Sequence, residues 1–596
     1  MARIGDPSFI EPINKLLNKS RHSELRKSAA FALGSIEGET AYLFVSQNIP
    51  MHKDPDLSRE LLMAAGRKGN VRAIHQLSFY LKPTFPTPIQ DGACSGLGQA
   101  FAMLEERVQD EGTLKLLAEL LGNPDVALSA AFALSRWQGD PNLIPVQALS
   151  GALPQMVDSA PRALLSRALG RVRTPAAREA LIQAFKKAKE KNEKIEALKG
   201  LGNQEVSEPV LAVIASGLTD SFRHIQITAI QSAGKLRTGA APLTGQIDSL
   251  FMGSGSEWVR SEALIALVAI APDLARQRIQ EQIKKSTGLV LGSMVYSFAL
   301  LGTPPDLALI GDFLSSPHTD LARRALEGLL QLRPEQFTPG MKELIRKTIL
   351  RKDAGLVATA SDIISRNKWS SHLDALKTTY GTFSMDDAAE IRSAIIRTVG
   401  ELGDETQVPF LEGALRDRYR VVSEAASRAL KRINGKDYPF PLSGAGGAPV
   451  PSADQLTSAV KKTAVIQTSR GDFTIRFNED TPVTAYYFLK EAPNQKGRTF
   501  HRVVPNFVAQ GGDPRGDGFG GPGYSVRDEI SLRPHERGSV GIATAGKDTG
   551  GCQFFVDTAP NPHLLGRYTN FARVTSGIEV LDRMEPNDTI LKIRVY

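Results

Sequence analysis

The residues that could do chemistry lie in three blocks towards the C-terminal end of the chain. They are Phe500-His501-Arg502-Val503-Val504-Pro505-Asn506-Phe507-Val508-Ala509-Gln510-Gly511-Gly512-Asp513-Pro514, then Gly551-Cys552-Gln553-Phe554-Phe555, then His563-Leu564-Leu565 through Phe571. Cys94 and Cys552 lie far apart, in no CxxC or metal-ligand spacing, so neither a disulfide framework nor a metal centre is expected. Gly516-x-Gly518-x-x-Gly521 has the letters of a dinucleotide fingerprint, but it follows no βαβ strand and leads into Tyr524-Ser525-Val526-Arg527 rather than a helix. Arg515-Gly516-Asp517 spells an adhesion tripeptide inside the same glycine-rich loop, where chance explains it. The blocks show no nucleophile, metal or cofactor site, and they carry an arginine, glutamines and several aromatic residues. An arginine is always charged and cannot act as an acid, but its fork of donors can hold carbonyl groups. Taken alone, an arginine in a strand is a surface charge.

Short strands divided by glycine-rich loops must position these blocks. Alternation over residues 464–468 and 473–477, around Arg470-Gly471-Asp472, predicts a β-hairpin. Residues 482–489 read as a helix, and 499–504, 507–510, 539–543, 553–556 and 590–595 as further strands. Many short strands with one or two helices predict a closed β-barrel over residues 459–596. Ahead of it, residues 436–458 form a Pro/Gly-rich linker without hydrophobic period, which leaves the orientation of the flanking domains free.

The three blocks, in this order, resemble the cyclophilin family of peptidyl-prolyl isomerases over about residues 459–596. That resemblance implies a reaction in which no bond is made or broken. Rotation about an X-Pro peptide bond costs about 18 to 20 kcal/mol because amide resonance is lost. As the bond twists, the prolyl nitrogen pyramidalises and gains a lone pair, so a fixed donor aimed at it stabilises the twisted state selectively. By resemblance Arg502 is that donor, and Gln510 binds substrate backbone and helps to position it. Phe507, Val508, Phe555 and Leu564 match the proline pocket, Phe507 and Phe555 counting with Arg502 and Gln510 as the catalytic group. Read without the resemblance, these apolar residues would be barrel core. Ala543, Thr544 and Ala545 match the strand along which the peptide lies, and Gln553 flanks it. The implied partners are proline-containing protein or peptide clients, with no metal and no cofactor. Three positions depart from the eukaryotic pattern: His563 stands for a tryptophan, Tyr568 for a histidine and Val508 for a methionine. A tyrosine hydroxyl can still donate to a substrate carbonyl, and that replacement is familiar among bacterial members.

Residues 1–435 carry an internal repeat. SAAFAL occurs at 28–33 and again at 129–134. The wider template is Leu25, Ala29, Leu33, Ile36 and Gly38. It returns as Val126, Ala130, Leu134, Trp137 and Gly139, as Ile391, Ile395, Val399, Leu402 and Asp404, and as Val422, Ala426, Leu430, Ile433 and Gly435. Such spacing marks one face of a helix, and the small central residue lets a neighbouring helix come close. Second helices over 143–153 and 410–415 make each unit a helical hairpin that cannot bury its apolar face alone, so the units must stack as an α-solenoid. The pattern resembles HEAT repeats of the short bacterial type, which implies a protein partner along a concave surface. The expected fold class is multidomain, an all-α HEAT-repeat solenoid followed by a closed β-barrel of cyclophilin type.

Of 596 residues, 72 Lys and Arg stand against 64 Asp and Glu, a formal charge of +8 without long basic runs, so no nucleic-acid partner is expected. No window approaches the roughly 18 uninterrupted apolar residues of a transmembrane segment. Ile4-Gly5-Asp6-Pro7 resembles turns that elsewhere end a helix, so a helix is expected upstream. The compartment is left open on that ground, with a bacterial cell envelope or periplasm favoured over cytoplasm. The functional expectation is an isomerase for protein folding whose solenoid binds or positions clients. The alternative is a scaffold that binds proline segments with little turnover; Arg502, Phe507, Gln510 and Phe555 together favour the enzyme. Because His563 replaces an indole donor, cyclosporin should inhibit weakly in a peptide isomerisation assay. Tight stoichiometric inhibition would show that this pocket wall has been carried over wrongly.

Overall fold

The computed structural model describes residues 6–104, 108–383, 388–440 and 447–596. Residues 441–446 of the expected linker and Ile4-Gly5 of the N-terminal turn therefore lie outside the described residues.

Helices fill the chain from Ile10–Lys19 to Arg420–Asn434. Asp54, Asn70, Thr174, Ser256 and Asp353 start several of them, each side chain accepting a backbone N–H of the first turn. The repeat template falls on Ser23–Ser35, Ala127–Arg136, Ala389–Leu402 and Arg420–Asn434. Most of its apolar positions are buried, Val126, Ala130, Leu134 and Trp137 completely, while Leu402 and Ile433 are half-buried and Leu25 is 41% exposed in its first turn. These helices belong to one inner layer. Pro55–Gly66 packs on Thr87–Met103, Thr87–Met103 on Ala127–Arg136, and so on to Ala389–Leu402 on Arg420–Asn434, with shorter outer helices such as Val146–Ala152 and Val408–Ala414 between them in sequence. Neighbours in the layer come close enough that a Cβ on Gly66 would lie 2.1 Å from the carbonyl oxygen of Gly96. The layer curls until Arg428 and Glu37, from its far ends, stand 3.7 Å apart.

The barrel consists of β1 (Thr463–Thr468), β2 (Gly471–Phe477), β3 (Thr499–Phe500), β4 (Arg502–Val503), β5 (Val508–Gly511), β6 (Ser539–Ile542), β7 (Phe554–Asp557), β8 (Asn570–Ser576) and β9 (Asp588–Val595). Their order is β3-β9-β1-β2-β8-β6-β7-β5-β4, antiparallel throughout, and a Thr499–Asp513 bridge draws the two ends together. Phe473, Phe500, Phe554 and Phe571 fill its centre. The stretch expected as one strand over 499–504 breaks at His501, because β3 pairs with β9 and β4 with β5. β8, which sequence alternation did not reveal, and the helix Ala453–Val460, packed on Pro482–Glu491, complete the domain.

The free orientation expected from the linker is not what the structure shows: the barrel is seated in the concave side of the inner layer. Lys191 pairs with Asp582 at 2.7 Å, Lys199 donates to the Pro505 carbonyl at 2.9 Å, and His224 Nε2 meets the Met584 carbonyl at 2.8 Å. Arg223 and Ser256 both bond Glu585, and Arg515 pairs with Asp353 at 2.8 Å. Linker composition describes the connecting chain; orientation is set by these facing surfaces.

Glu196 is the most deeply buried charge of the seam, 1% exposed. It accepts from Arg167 at 2.9 Å, from Lys199 at 2.8 Å and from barrel Asn506 at 2.8 Å. Burial alone would push its carboxyl up, but Lys199 and Arg167 outweigh that and hold it well below the usual carboxylate range. Its contribution to stability is therefore present above an unfolded pKa of about 4.3 and is lost as pH falls through the depressed folded value. Glu196→Ala, which leaves two cations uncompensated, should cost about 3 to 5 kcal/mol in urea unfolding of the full chain. An unchanged midpoint and slope would show that the seam does not depend on this carboxylate.

Candidate functional site

The barrel register sets one row of residues across four strands. Arg502 on β4 lies opposite Gln510 on β5, Gln510 opposite Phe555 on β7, and Phe555 opposite Gly541 on β6. Directly opposed residues share a face of the sheet. Glycine at 541 is what lets the Phe555 ring lie across the row, since a Cβ there would come within 2.3 Å of the ring.

Around Phe555 gathers a small apolar pocket. Val508, Phe555 and Leu564 form its buried base, with Phe507, Ala543 and Tyr568 packed against it. The Tyr568 ring meets Phe555 edge-on at 5.6 Å, and His563 stacks on Phe507 at 5.6 Å. Arg502 is exposed at the lip, its guanidinium 5.6 Å above the Phe507 ring and 3.5 Å from Gln510 Oε1. Gln510 donates to Gln553 at 3.1 Å, and Gln553 donates in turn to the carbonyls of Gly518 and Gly520. Thr544 and Ala545 lie beyond Ala543, lining with Gln510 and Gln553 a separate polar groove of about 170 Å³. The residues expected from the sequence are thus brought together on one face, as an apolar pocket and a polar groove joined at Gln510. Chemically this face can seat a small apolar ring and present a cationic donor beside it, with amides along one flank. Among the described residues no group of three or more His, Cys, Asp or Glu is placed to hold a metal ion.

Sequence reasoning missed the residues behind this face. His535 stacks on Phe555 at 5.8 Å and donates from Nδ1 to buried Asp557 at 2.9 Å. Asn561 donates to Asp557 at 2.7 Å and to the Phe507 carbonyl at 3.0 Å, tying the floor of the pocket to its rim. Burial pushes the Asp557 carboxyl up, against the pull of His535 and Asn561. Asp557 and Asn561 lie four residues apart, but His535 stands 22 residues before Asp557 and only the fold brings it to them.

It also missed the contributions of the helical layer. The β4–β5 turn carries Arg502 into Phe507 and needs a left-handed residue, Asn506 at φ 59°. Layer residues grip that turn, Lys199 at the Pro505 carbonyl and Glu196 at the Asn506 amide. Arg136 reaches His563, its Nη2 2.6 Å from Nδ1. A guanidinium can only donate, so Nδ1 accepts and the proton of the neutral ring is on Nε2. Burial, followed by Arg136, Arg167 and Arg567, pushes the His563 pKa down to about 3. The ring that walls the pocket is therefore neutral throughout the physiological range. In Arg136→Met, NMR titration should show the His563 pKa rising by about a unit or more towards the ordinary value near 6.5. A pKa that stays put would mean that burial alone holds the ring neutral.

Comparison with known proteins agrees with this geometry. Residues 463–594 match the family described as cyclophilin type peptidyl-prolyl cis-trans isomerase/CLD. Peptidyl-prolyl cis-trans isomerase B of Bacillus subtilis is 47% identical over 123 residues, 20% of this chain and 86% of that protein. A peptidyl-prolyl cis-trans isomerase of Synechococcus elongatus is 39% identical over 137 residues, 22% of this chain and 94% of that one. One from Helicobacter pylori is 42% identical over 134 residues, 21% of this chain and 82% of that one. With a barrel, a cross-strand row and a pocket that coincide with the matched segment, the chain belongs to the cyclophilin-type peptidyl-prolyl cis-trans isomerase family.

Proposed function

We propose that the barrel isomerises X-Pro bonds of protein clients and that the helical array, of HEAT type in a bacterial protein, holds the site and positions the client beside it. The observation that carries the reading is the row Arg502, Gln510, Phe555, Gly541 with the apolar pocket at its centre. A proline ring enters between Phe555, Leu564 and Phe507, which leaves the bond before it over the row. Arg502 then has its donors at the prolyl nitrogen, where a lone pair develops only in the twisted state. Gln510 steadies both the guanidinium and the peptide backbone, and the flank at Ala543, Thr544 and Ala545 takes the extended client. The array acts from next to the site, because its concave side carries the barrel. A tethered wall of this kind raises the effective concentration of client prolines.

The competing reading, a proline-binding scaffold with little turnover, has no use for a donor at the prolyl nitrogen. The deciding experiment measures cis–trans exchange of a proline peptide by NMR, together with its affinity. Arg502→Ala in the full chain should lower the exchange rate about a hundredfold, roughly 2.7 kcal/mol, while leaving most of the affinity. Gln510→Ala should cost less, since it only loosens the arginine. Exchange that falls only in step with binding, or not at all, would overturn this mechanism in favour of the scaffold.

A further inference from the structure

The polar groove beside the proline pocket has walls from both domains. Barrel residues Gln510, Ala543, Thr544 and Gln553 form one side, and Ala389 and Glu390, in the first turn of the helix Ala389–Leu402, face them. The position of that helix follows from how the rims of the groove are held. The glycine-rich rim is fastened to the helix Ala354–Asn367: Arg515 pairs with its N-cap Asp353, and a Cβ on Gly355 would touch Phe519 at 3.2 Å. The opposite rim leans on Arg420–Asn434, where a Cβ on Gly546 would meet Val421 at 2.8 Å. Ala389–Leu402 lies between these two helices in the layer, so its first turn spans the gap between the rims.

Glu390 is the one charged residue lining this groove among the described residues; the rest of its wall is glycine, amide, hydroxyl and apolar. No hydrogen bond or ion pair engages the Glu390 carboxylate among the described residues. Burial pushes its pKa up, and Arg397 opposes that only through space. A glutamate in a first helical turn is ordinarily explained by the helix dipole. That explanation does not account for one turned into a half-buried groove that runs on from Gln510 and Gln553. A carboxylate short of partners in such a place is stabilised by an incoming cation, and the neutral wall offers no competitor for it.

We infer that the groove is a composite specificity subsite, in which Glu390 of the helical array receives a lysine or arginine side chain of the client close to the isomerised proline. The inference rests on the proposed reading of the barrel as the client-binding face. An extended peptide advances about 3.3 Å per residue and sends alternate side chains to opposite sides. A client whose proline fills the pocket therefore directs a side chain one or two residues away over the groove. The isolated barrel, lacking Glu390, recognises that position by shape alone, whereas the full chain adds a charge requirement. The array thereby determines which prolines are served.

The test uses proline peptides carrying Lys, norleucine or Glu at each of the two positions on either side of the proline. Both binding, by fluorescence anisotropy, and exchange, by NMR, are measured with the full chain. At one position the Lys peptide should bind about tenfold more tightly than its norleucine counterpart and the Glu peptide more weakly, with the preference shrinking at high salt. Glu390→Gln should bring the Lys-to-norleucine ratio close to one, and Glu390→Lys should favour the Glu peptide. A ratio above one that survives Glu390→Gln, or no position with a charge preference, would overturn the subsite. Binding decides this question even if exchange is slow, whereas absent exchange with intact, charge-selective binding would count against the isomerase reading alone.

Discussion

The close stacking of the inner helices is the constraint on which the other parts of this molecule depend. Small residues at the centre of the repeat template, Ala29, Ala130 and Ala426, and glycines such as Gly66 against Gly96, let successive helices approach at backbone distance. Outer helices are shorter and less deeply buried, so the two layers differ in breadth and the array curls. The curl brings Arg428 within reach of Glu37 and leaves a concave side sized for the barrel. That exposed pair, at 71% and 69%, adds little energy itself. It marks where packing has already brought the ends.

Charged contacts run along the seam between barrel and array, and they decide how exactly the two domains register. An apolar seam tolerates small slides because dispersion is non-directional. Glu196, with donors from Arg167, Lys199 and Asn506, and Glu585, with Arg223, Arg470 and Ser256, do not. Moving the barrel by an ångström or two would strand a buried carboxylate or its cations, a large penalty in a poorly solvated seam. Net stabilisation by such pairs is modest because desolvation offsets attraction. Their consequence is one relative position, and that is what allows array residues to take part in a site on the barrel.

Half of this arrangement was legible in the chain. The helix template reads directly because burial of one face imposes its period, and Val126, Ala130, Leu134 and Trp137 fall where that period puts them. The barrel face reads from its blocks, and Arg502, Gln510, Phe555, Leu564 and Tyr568 do assemble. β8 escaped because Asn570, Phe571 and Ala572 are buried in succession, so the start of the strand shows no alternation. His535, Asp557 and Asn561 escaped because a loop residue meets the end of β7 and the turn after it only in the fold. Arg136 and His563 are 427 residues apart, and an arginine at the end of a helix has the sequence signature of a solvated charge. Glu390 has that of a favourable helix start. The orientation of the domains was misjudged for a related reason: a Pro/Gly-rich connection reports its own stiffness, while complementarity between distant surfaces leaves no local pattern.

Because isomerisation transfers no group, a neighbouring domain can influence it only through position and electrostatics. The array is placed to do both. It holds the β4–β5 turn at Pro505 and Asn506, so the strained turn that sets Arg502 and Phe507 relative to each other is braced from outside the barrel. Burial, with Arg136 beside it, keeps His563 neutral, so that wall of the pocket stays uncharged. A donor that must meet a transient lone pair is sensitive to displacements of a fraction of an ångström. On the proposed mechanism, bracing the turn would act on the twisted state more than on the bound ground state. The same enclosure restricts what can enter. Helices of the array border both rims of the groove, and on the reading proposed above this favours an extended segment of chain as the client.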